Sequence, residues 1–242
     1  MTSLTATTAI AAAELRMMLR NRTVALCALL VPLAFGGFLL FSSSAEAPGA
    51  AGMLAGVQII GMVGMGVYVS ATTTLAARRQ TLFLKRMRGG ALSDRGILAG
   101  LVLPLVAVSL AQLLIVLAVL STRAAPEHVW LLVVAVLLAE AMFVGLALAT
   151  AGFSTSPEHA QYTTLPLFFV TLGVAIWFQV TGADDLAWVK RALPGGGLAE
   201  LIALAWNGGD LGLLPVLLLP TLGWAVLGGV AAARFFRWEP RR

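Results

Sequence analysis

Glu140 is the one carboxyl group near the middle of a long apolar run, the stretch from 129 to 151. A charge held in hydrocarbon costs on the order of a few kcal/mol unless it is paired or hydrated, so a functional role is one reading. A protonated acid bonded to a neighbouring helix as structural glue is the other. Gln58 and Gln112 also fall inside apolar runs, where an amide either lines a polar path or bonds across helices. Together Gln58, Gln112 and Glu140 are the candidates for a substrate path.

Enzyme chemistry finds no comparable set. There is no HExxH zinc motif, and the two histidines, His128 and His159, stand at opposite ends of one apolar run. They cannot share a metal ion or serve one serine nucleophile. Cys27 is the only cysteine, which leaves no intrachain disulfide or cysteine cage. Neither lysine, Lys85 or Lys190, follows a glycine-rich GxxxxGK[ST] loop, so ATP has no phosphate cradle here. No catalytic residue, metal site or cofactor is therefore expected on the chain. A channel has little support either, since no span carries a ring of like charges or a filter-like signature.

These residues need a scaffold, and composition says which. The 242 residues are 60% hydrophobic and 11% charged, with a mean hydropathy of +0.94. Soluble domains are about half apolar and a quarter charged. Runs of about 20 apolar residues, enough to cross a bilayer, recur too often for a soluble core. The expectation is an all-α, polytopic membrane protein forming a single transmembrane domain. Its six spans lie near 24–41, 53–75, 97–121, 129–151, 163–181 and 211–233. The first run is read as retained, because no small-residue cleavage pattern follows it.

Between the spans the chain has distinct connectors. Residues 1–23 read as an interfacial helix, with Leu15, Met18 and Leu19 on one face and Arg16 and Arg20 roughly opposite. Pro32 and the Gly36–Gly37 pair interrupt the first span, which membrane helices tolerate. Gly52, Gly56, Gly61, Gly64 and Gly66 mark the second for close packing, within the chain or across a dimer. Residues 182–210 are apolar, but Lys190, Arg191 and the Pro194–Gly197 break prevent a continuous span. Two short helices lying in, or dipping into, the outer interface fit better.

Charge orients the chain. With both termini inside, 13 of the 16 Lys and Arg face the cytoplasm, and only Arg123, Lys190 and Arg191 fall outside. That is the positive-inside bias. It also accounts for the net charge of +5 without a nucleic-acid partner, because no basic run is interleaved with stacking aromatics.

The basic loop at 76–96 carries a likeness. Lys85-Arg86-Met87-Arg88 is followed by Gly89-Gly90, then Ala91-Leu92-Ser93, then a helix entering the next span from Ile97 to Gly100. This resembles the cytoplasmic loop of ABC-2 type permeases, closest to the multidrug and daunorubicin-resistance-like branch, with Ala91 where that family usually has proline. The segment Glu14–Arg22, the Leu193–Pro194 break and the Arg-rich tail fit the same pattern (type V exporter-like). The resemblance implies a permease subunit of the bacterial inner membrane, paired with a second permease as homodimer or sister chain. Two separate ATPase subunits would bind ATP and Mg. Arg78, Arg79, Lys85, Arg86, Arg88, Ser93 and Arg95 would then belong to the segment that couples to the ATPase. Binding of the same basic loop to anionic membrane lipids is compatible with this. The implied activity is export of a hydrophobic or amphiphilic, drug-like or lipid-like substrate. The alternative is a membrane scaffold or sensor with a permease-like fold and no transport.

Overall fold

The computed structural model describes residues 3–42, 49–89, 92–184, 186–236 and 238, and among them all regular structure is helical. In chain order the helices are α1 (Ser3–Arg20), α2 (Arg22–Ser42), α3 (Ala50–Val63), α4 (Ser70–Gln80) and α5 (Phe83–Arg88). They continue with α6 (Asp94–Ser121), α7 (Val129–Phe153), α8 (Pro157–Thr181), α9 (Ala187–Ala192), α10 (Gly196–Asn207) and α11 (Leu214–Phe235). A π-helical turn, Gly64–Val69, joins α3 to α4, so Ala50–Gln80 is one continuous rod. Five helical stretches are long and apolar enough to cross a membrane: Ala50–Gln80, Asp94–Ser121, Val129–Phe153, Pro157–Thr181 and Leu211–Phe235. Within α2 the apolar stretch Ala28–Ser42 is shorter. The chain is a membrane protein with two ends to its bundle. A basic end carries α1, α5 and the 154–156 turn, and the far end carries 122–128 and 182–213.

Helix boundaries follow local chemistry that the hydropathy pattern averages over. α8 starts at Pro157, six residues before the expected span, because Ser156 caps it by accepting the His159 N–H at 3.1 Å and Pro157 fits the first turn. α6 starts at Asp94 because the Ser93 hydroxyl accepts from the Gly96 N–H at 3.2 Å. The α3–α4 rod runs to Gln80, past the expected end at 75.

The rod is the centre of the bundle, with α2, α6, α7, α8 and α10 packed around it. Lipid tails are as apolar as leucine, so close packing, rather than escape from water, holds such helices together. Its glycines make that packing possible. A Cβ added at Gly56 would lie 3.3 Å from the Ala199 carbonyl oxygen of α10, and one at Gly64 only 2.6 Å from the Phe168 ring of α8. One at Gly61 would run into the Phe35 ring of α2. The glycine face left open by the sequence is thus filled within the chain. α10 shows the consequence: Leu198 to Trp206 are all buried against the rod, α7 and α11. Of the two short helices at 182–210, α9 is peripheral and α10 dips into the bundle.

Gly61→Val should therefore lower the melting temperature in detergent, by overpacking equivalent to about 1–3 kcal/mol. Gly173→Ala, where a Cβ meets nothing within 4 Å, should leave it within about 0.5 kcal/mol. Equal melting of both variants would mean that the rod is not held by close approach.

Candidate functional site

The rod, α1, α2 and α6 do not close on each other at the basic end. They enclose a cavity of about 740 Å³, with Gln161 of α8 at its edge. Along the rod its wall runs through Met65, Gly66, Val69, Ser70, Thr73, Thr74, Ala77 and Arg78. From Ala77 to Met65 a helix rises about 18 Å, more than half of a hydrocarbon core about 30 Å thick.

Three interrupted helices meet at the deep part of this cavity. Pro32 of α2, Pro104 of α6 and the π turn of the rod all line it. Proline at 32 has no N–H to give the Ala28 carbonyl, which would be left bare in hydrocarbon. Gln112 supplies the missing donor: its side-chain amide bonds Ala28 O at 3.1 Å and Leu29 O at 2.9 Å. In the π turn the Ser70 hydroxyl donates to Met65 O at 3.2 Å. Backbone pairing is already interrupted on three sides of one space, so these walls can change shape with fewer bonds to break.

At the mouth, Glu14 of α1 pairs with Arg78 of α4 at 2.7 Å, with the carboxylate mostly buried. The same guanidinium lies over the Phe83 ring of α5 at 5.3 Å from its centroid. Arg78 therefore ties α1, α4 and α5 together at the edge of the cavity. Leu15 and Met18 are half-buried, with Met18 lining the cavity, while Arg16, Leu19 and Arg20 are exposed. Composition concealed how α1 is fixed. Thr7 and Ile10 sit on Gly96 and Gly100 of α6, where a Cβ at Gly100 would come within 2.8 Å of Ile10.

The residues of the basic loop separate by role. Arg79 is 1% exposed, and its guanidinium donates to the Ser154 carbonyl, pinning α4 to the turn before α8. It faces no solvent. Lys85, Arg86 and Arg88 are exposed on α5, whose Leu84 is buried as its anchor. Arg86 donates to Thr81 O at 3.1 Å, and Arg88 pairs with Asp94 at 3.3 Å and lies over Trp238. Leu82, which joins α4 to α5, takes a left-handed φ of 58° and is 45% exposed. Ser93 serves as the cap of α6, and Arg95 stands apart from α5 on the outer face of that helix. The Gly90–Ala91 turn, the tail arginines Arg237, Arg241 and Arg242, and the Cys27 side chain lie outside the described residues.

None of the three path candidates lines the cavity. Gln112 supports Pro32 from behind, and Gln58 donates to Gly36 O of α2 at 3.1 Å. Glu140 is 4% exposed inside the bundle, with the Ser109 hydroxyl facing it out of hydrogen-bond geometry. Neither its carboxyl oxygens nor that hydroxyl has a partner among the described residues. What lines the cavity instead is a hydroxyl stripe, Ser70, Thr73 and Thr74, with Asn21 and Gln161. That stripe was visible as polar residues at helical spacing leading into Arg78.

At the far end the described residues are tied together by hydrogen bonds. Asn207 donates to Gly49 O at 2.8 Å and accepts from the Gly52 N–H at 3.1 Å, tying α10 to the start of the rod. His128 and Glu127 N–H groups bond the last carbonyls of α10. Its three basic residues are all engaged. Arg123 caps α2 at Leu40 O, Lys190 caps α8 at Gly182 O, and Arg191 makes a two-point pair with Glu200 at 2.7 and 2.5 Å.

Comparison with protein-family models finds no match, and comparison with curated proteins finds none either.

Two outcomes follow. In a Cys27→Ser background, Ser70→Cys and Thr74→Cys should react with a polar maleimide added to open membrane fragments, while Thr72→Cys, fully buried against α7, should not. Labelling of Thr72→Cys at the same rate would remove the cavity. Glu140→Met should raise the melting temperature by several degrees, since it removes a buried group whose missing partners cost about 1–3 kcal/mol. A lower melting temperature would mean that the carboxyl holds the bundle together.

Proposed function

We propose that this chain is the membrane-spanning permease subunit of an ATP-driven exporter of the ABC-2 type. In this reading α2 supplies the sixth span, both termini face the cytoplasm of a bacterial cell, and the basic end is the cytoplasmic one. The observation that carries it is the cavity, which has Glu14 and Arg78 of the basic end on its wall and reaches Met65 and Leu105 near the middle of the bundle, short of the bonded far end. That is the form of an access path open to the cytoplasm or inner leaflet.

Its lining indicates what would enter. The walls are largely apolar, with three methionines, Met17, Met18 and Met65, which adapt to irregular shapes. The charges at its mouth, Glu14 and Arg78, neutralise each other, and the polar liners are hydroxyls and amides. A hydrophobic or amphiphilic molecule without strong net charge suits such a space. No nucleotide cradle is present in the sequence, so ATP and Mg would be held by two copies of a separate ATPase subunit, and a second permease would complete the complex. The exposed basic face of α5 is the docking surface this reading requires. Closure of the ATPase pair would push α5, and through Phe83 and Arg78 the push would reach α1 and the mouth of the cavity. The interrupted helices at Pro32, Pro104 and the π turn would then repack and pass the substrate outward.

The reversed-charge variant Lys85→Glu/Arg86→Glu/Arg88→Glu should lose association with the ATPase subunit and at least 10-fold of the substrate-dependent efflux, while still reaching the membrane. If association and efflux both persist, α5 is not the coupling element. If the wild-type chain purifies alone and no ATPase depends on it, the scaffold or sensor reading replaces transport.

A further inference from the structure

A second site lies on the outside of the bundle and does not depend on the transport reading. α6 and α7 both run the length of the bundle, yet they barely touch each other. α6 leans on α1, α2 and the rod, while α7 leans on α11, α10 and α4. The gap between them is a groove of about 350 Å³, lined by Leu98, Val102, Val106, Val144 and Leu148, with Arg95 its one charged group among the described residues. It opens sideways, since Leu103 on its edge is 50% exposed.

Charge and length identify the occupant. Arg78 and Arg88 are paired with carboxylates and Arg79 is bonded to Ser154, but Arg95 has no ion pair among the described residues. It sits at the basic end of α6, two residues before the apolar run that begins at Ile97. From Arg95 to Val106 the helix rises about 17 Å, close to one leaflet of a hydrocarbon core about 30 Å thick. One helical turn beyond Val144, the same face of α7 reaches Glu140, so the groove ends where the buried polar pair begins. A basic group at the interface above an apolar slot one leaflet long is suited to an anionic lipid.

The geometry points to a binding site for an anionic phospholipid of the leaflet at the basic end, with its phosphate on Arg95 and one acyl chain in the α6–α7 groove. A zwitterionic lipid would fill the slot too, but its own cation beside the phosphate would leave Arg95 less fully compensated. Soluble phosphate would meet Arg95 without the slot.

Native mass spectrometry of the purified full chain, with phosphatidylglycerol or phosphatidylcholine added, tests this. The wild type should retain phosphatidylglycerol at least 10-fold better than phosphatidylcholine, and excess glycerol phosphate should not displace it. Arg95→Gln should abolish the preference. Ala99→Phe, which fills the groove beneath the headgroup, should lower retention of both lipids. Arg22→Gln/Arg234→Gln, which removes exposed charge elsewhere at the same end, should change neither. Melting temperatures equal to wild type establish that the variants are folded; for a variant that melts early, Val144→Phe replaces Ala99→Phe, and Arg95→Lys, expected to keep the preference, accompanies Arg95→Gln. Loss of preference in the Arg22→Gln/Arg234→Gln variant equal to that in Arg95→Gln would reduce the effect to general surface charge and overturn the site. Retention unaffected by filling the groove, or displacement by glycerol phosphate, would overturn it as well.

Discussion

Close approach to the Ala50–Gln80 rod is the constraint on which the rest of this bundle depends. A helix buried on every side in a membrane gains nothing from leaving water, because its neighbours and the lipid are equally apolar. It gains by bringing backbones and side chains into contact over a long distance. Different positions on the rod serve different neighbours: Gly56 admits α10, Gly61 admits the Phe35 ring of α2, and Gly64 admits the Phe168 ring of α8. This arrangement also explains why a helix as short as α10 can lie deep in the protein. It cannot cross the bilayer, but with the rod on one side and α7 and α11 on the others it has no lipid-facing backbone to satisfy.

A second rule follows from the same solvent. Without water, each carbonyl freed by an interruption must find a donor nearby. Gln112 does this for Pro32, and the Ser70 hydroxyl helps to close the π turn. The far end applies the rule to helix ends, where Arg123 and Lys190 place cations on the last carbonyls of α2 and α8, as the helix dipole favours. The charge asymmetry between the two ends is thus structural as well as numerical. At the far end Arg123, Lys190 and Arg191 are each bound to a carbonyl or carboxylate, and at the basic end Lys85, Arg86 and Arg88 gather exposed on α5.

Much of the architecture was legible because hydropathy and chain length are tightly coupled in a bilayer. The runs at 97–121 and 129–151 need only small adjustment against α6 and α7. The adjustments come from polar punctuation, Ser93 and Ser156–Pro157, whose effect is local to one turn. The site was less legible, and for a physical reason. Buried amides draw attention in a sequence because they are rare, yet Gln58 and Gln112 serve neighbouring carbonyls, and their helical register turns them away from open space. The cavity is instead lined by serine and threonine, which are common in membrane helices because their hydroxyls fold back onto their own backbone, as Thr73 does to Val69 O. Arg79 misled in the same way. Its charge reads as surface, while its long side chain bonds the Ser154 carbonyl across the bundle.

The distribution of bonds also fixes which parts of the molecule can move. Around the deep cavity three helices have already given up part of their regular pairing, so rearrangement there exchanges one poor geometry for another. At the far end the contacts are specific and mutually dependent: Asn207 holds both the Gly49 carbonyl and the Gly52 N–H, and Trp206 bonds Ala124 O while its own carbonyl receives Glu127. Moving α10 away from the rod would break these bonds together and strip the glycine contacts of the rod at the same time. Any route through this bundle must therefore open the far end cooperatively or not at all. A small molecule in the cavity cannot supply that by its own binding, since it touches neither Asn207 nor α10. In the proposed reading the force arrives through the helices, and Phe83, Arg78 and Glu14 form a continuous set of contacts from the surface of α5 to the cavity mouth.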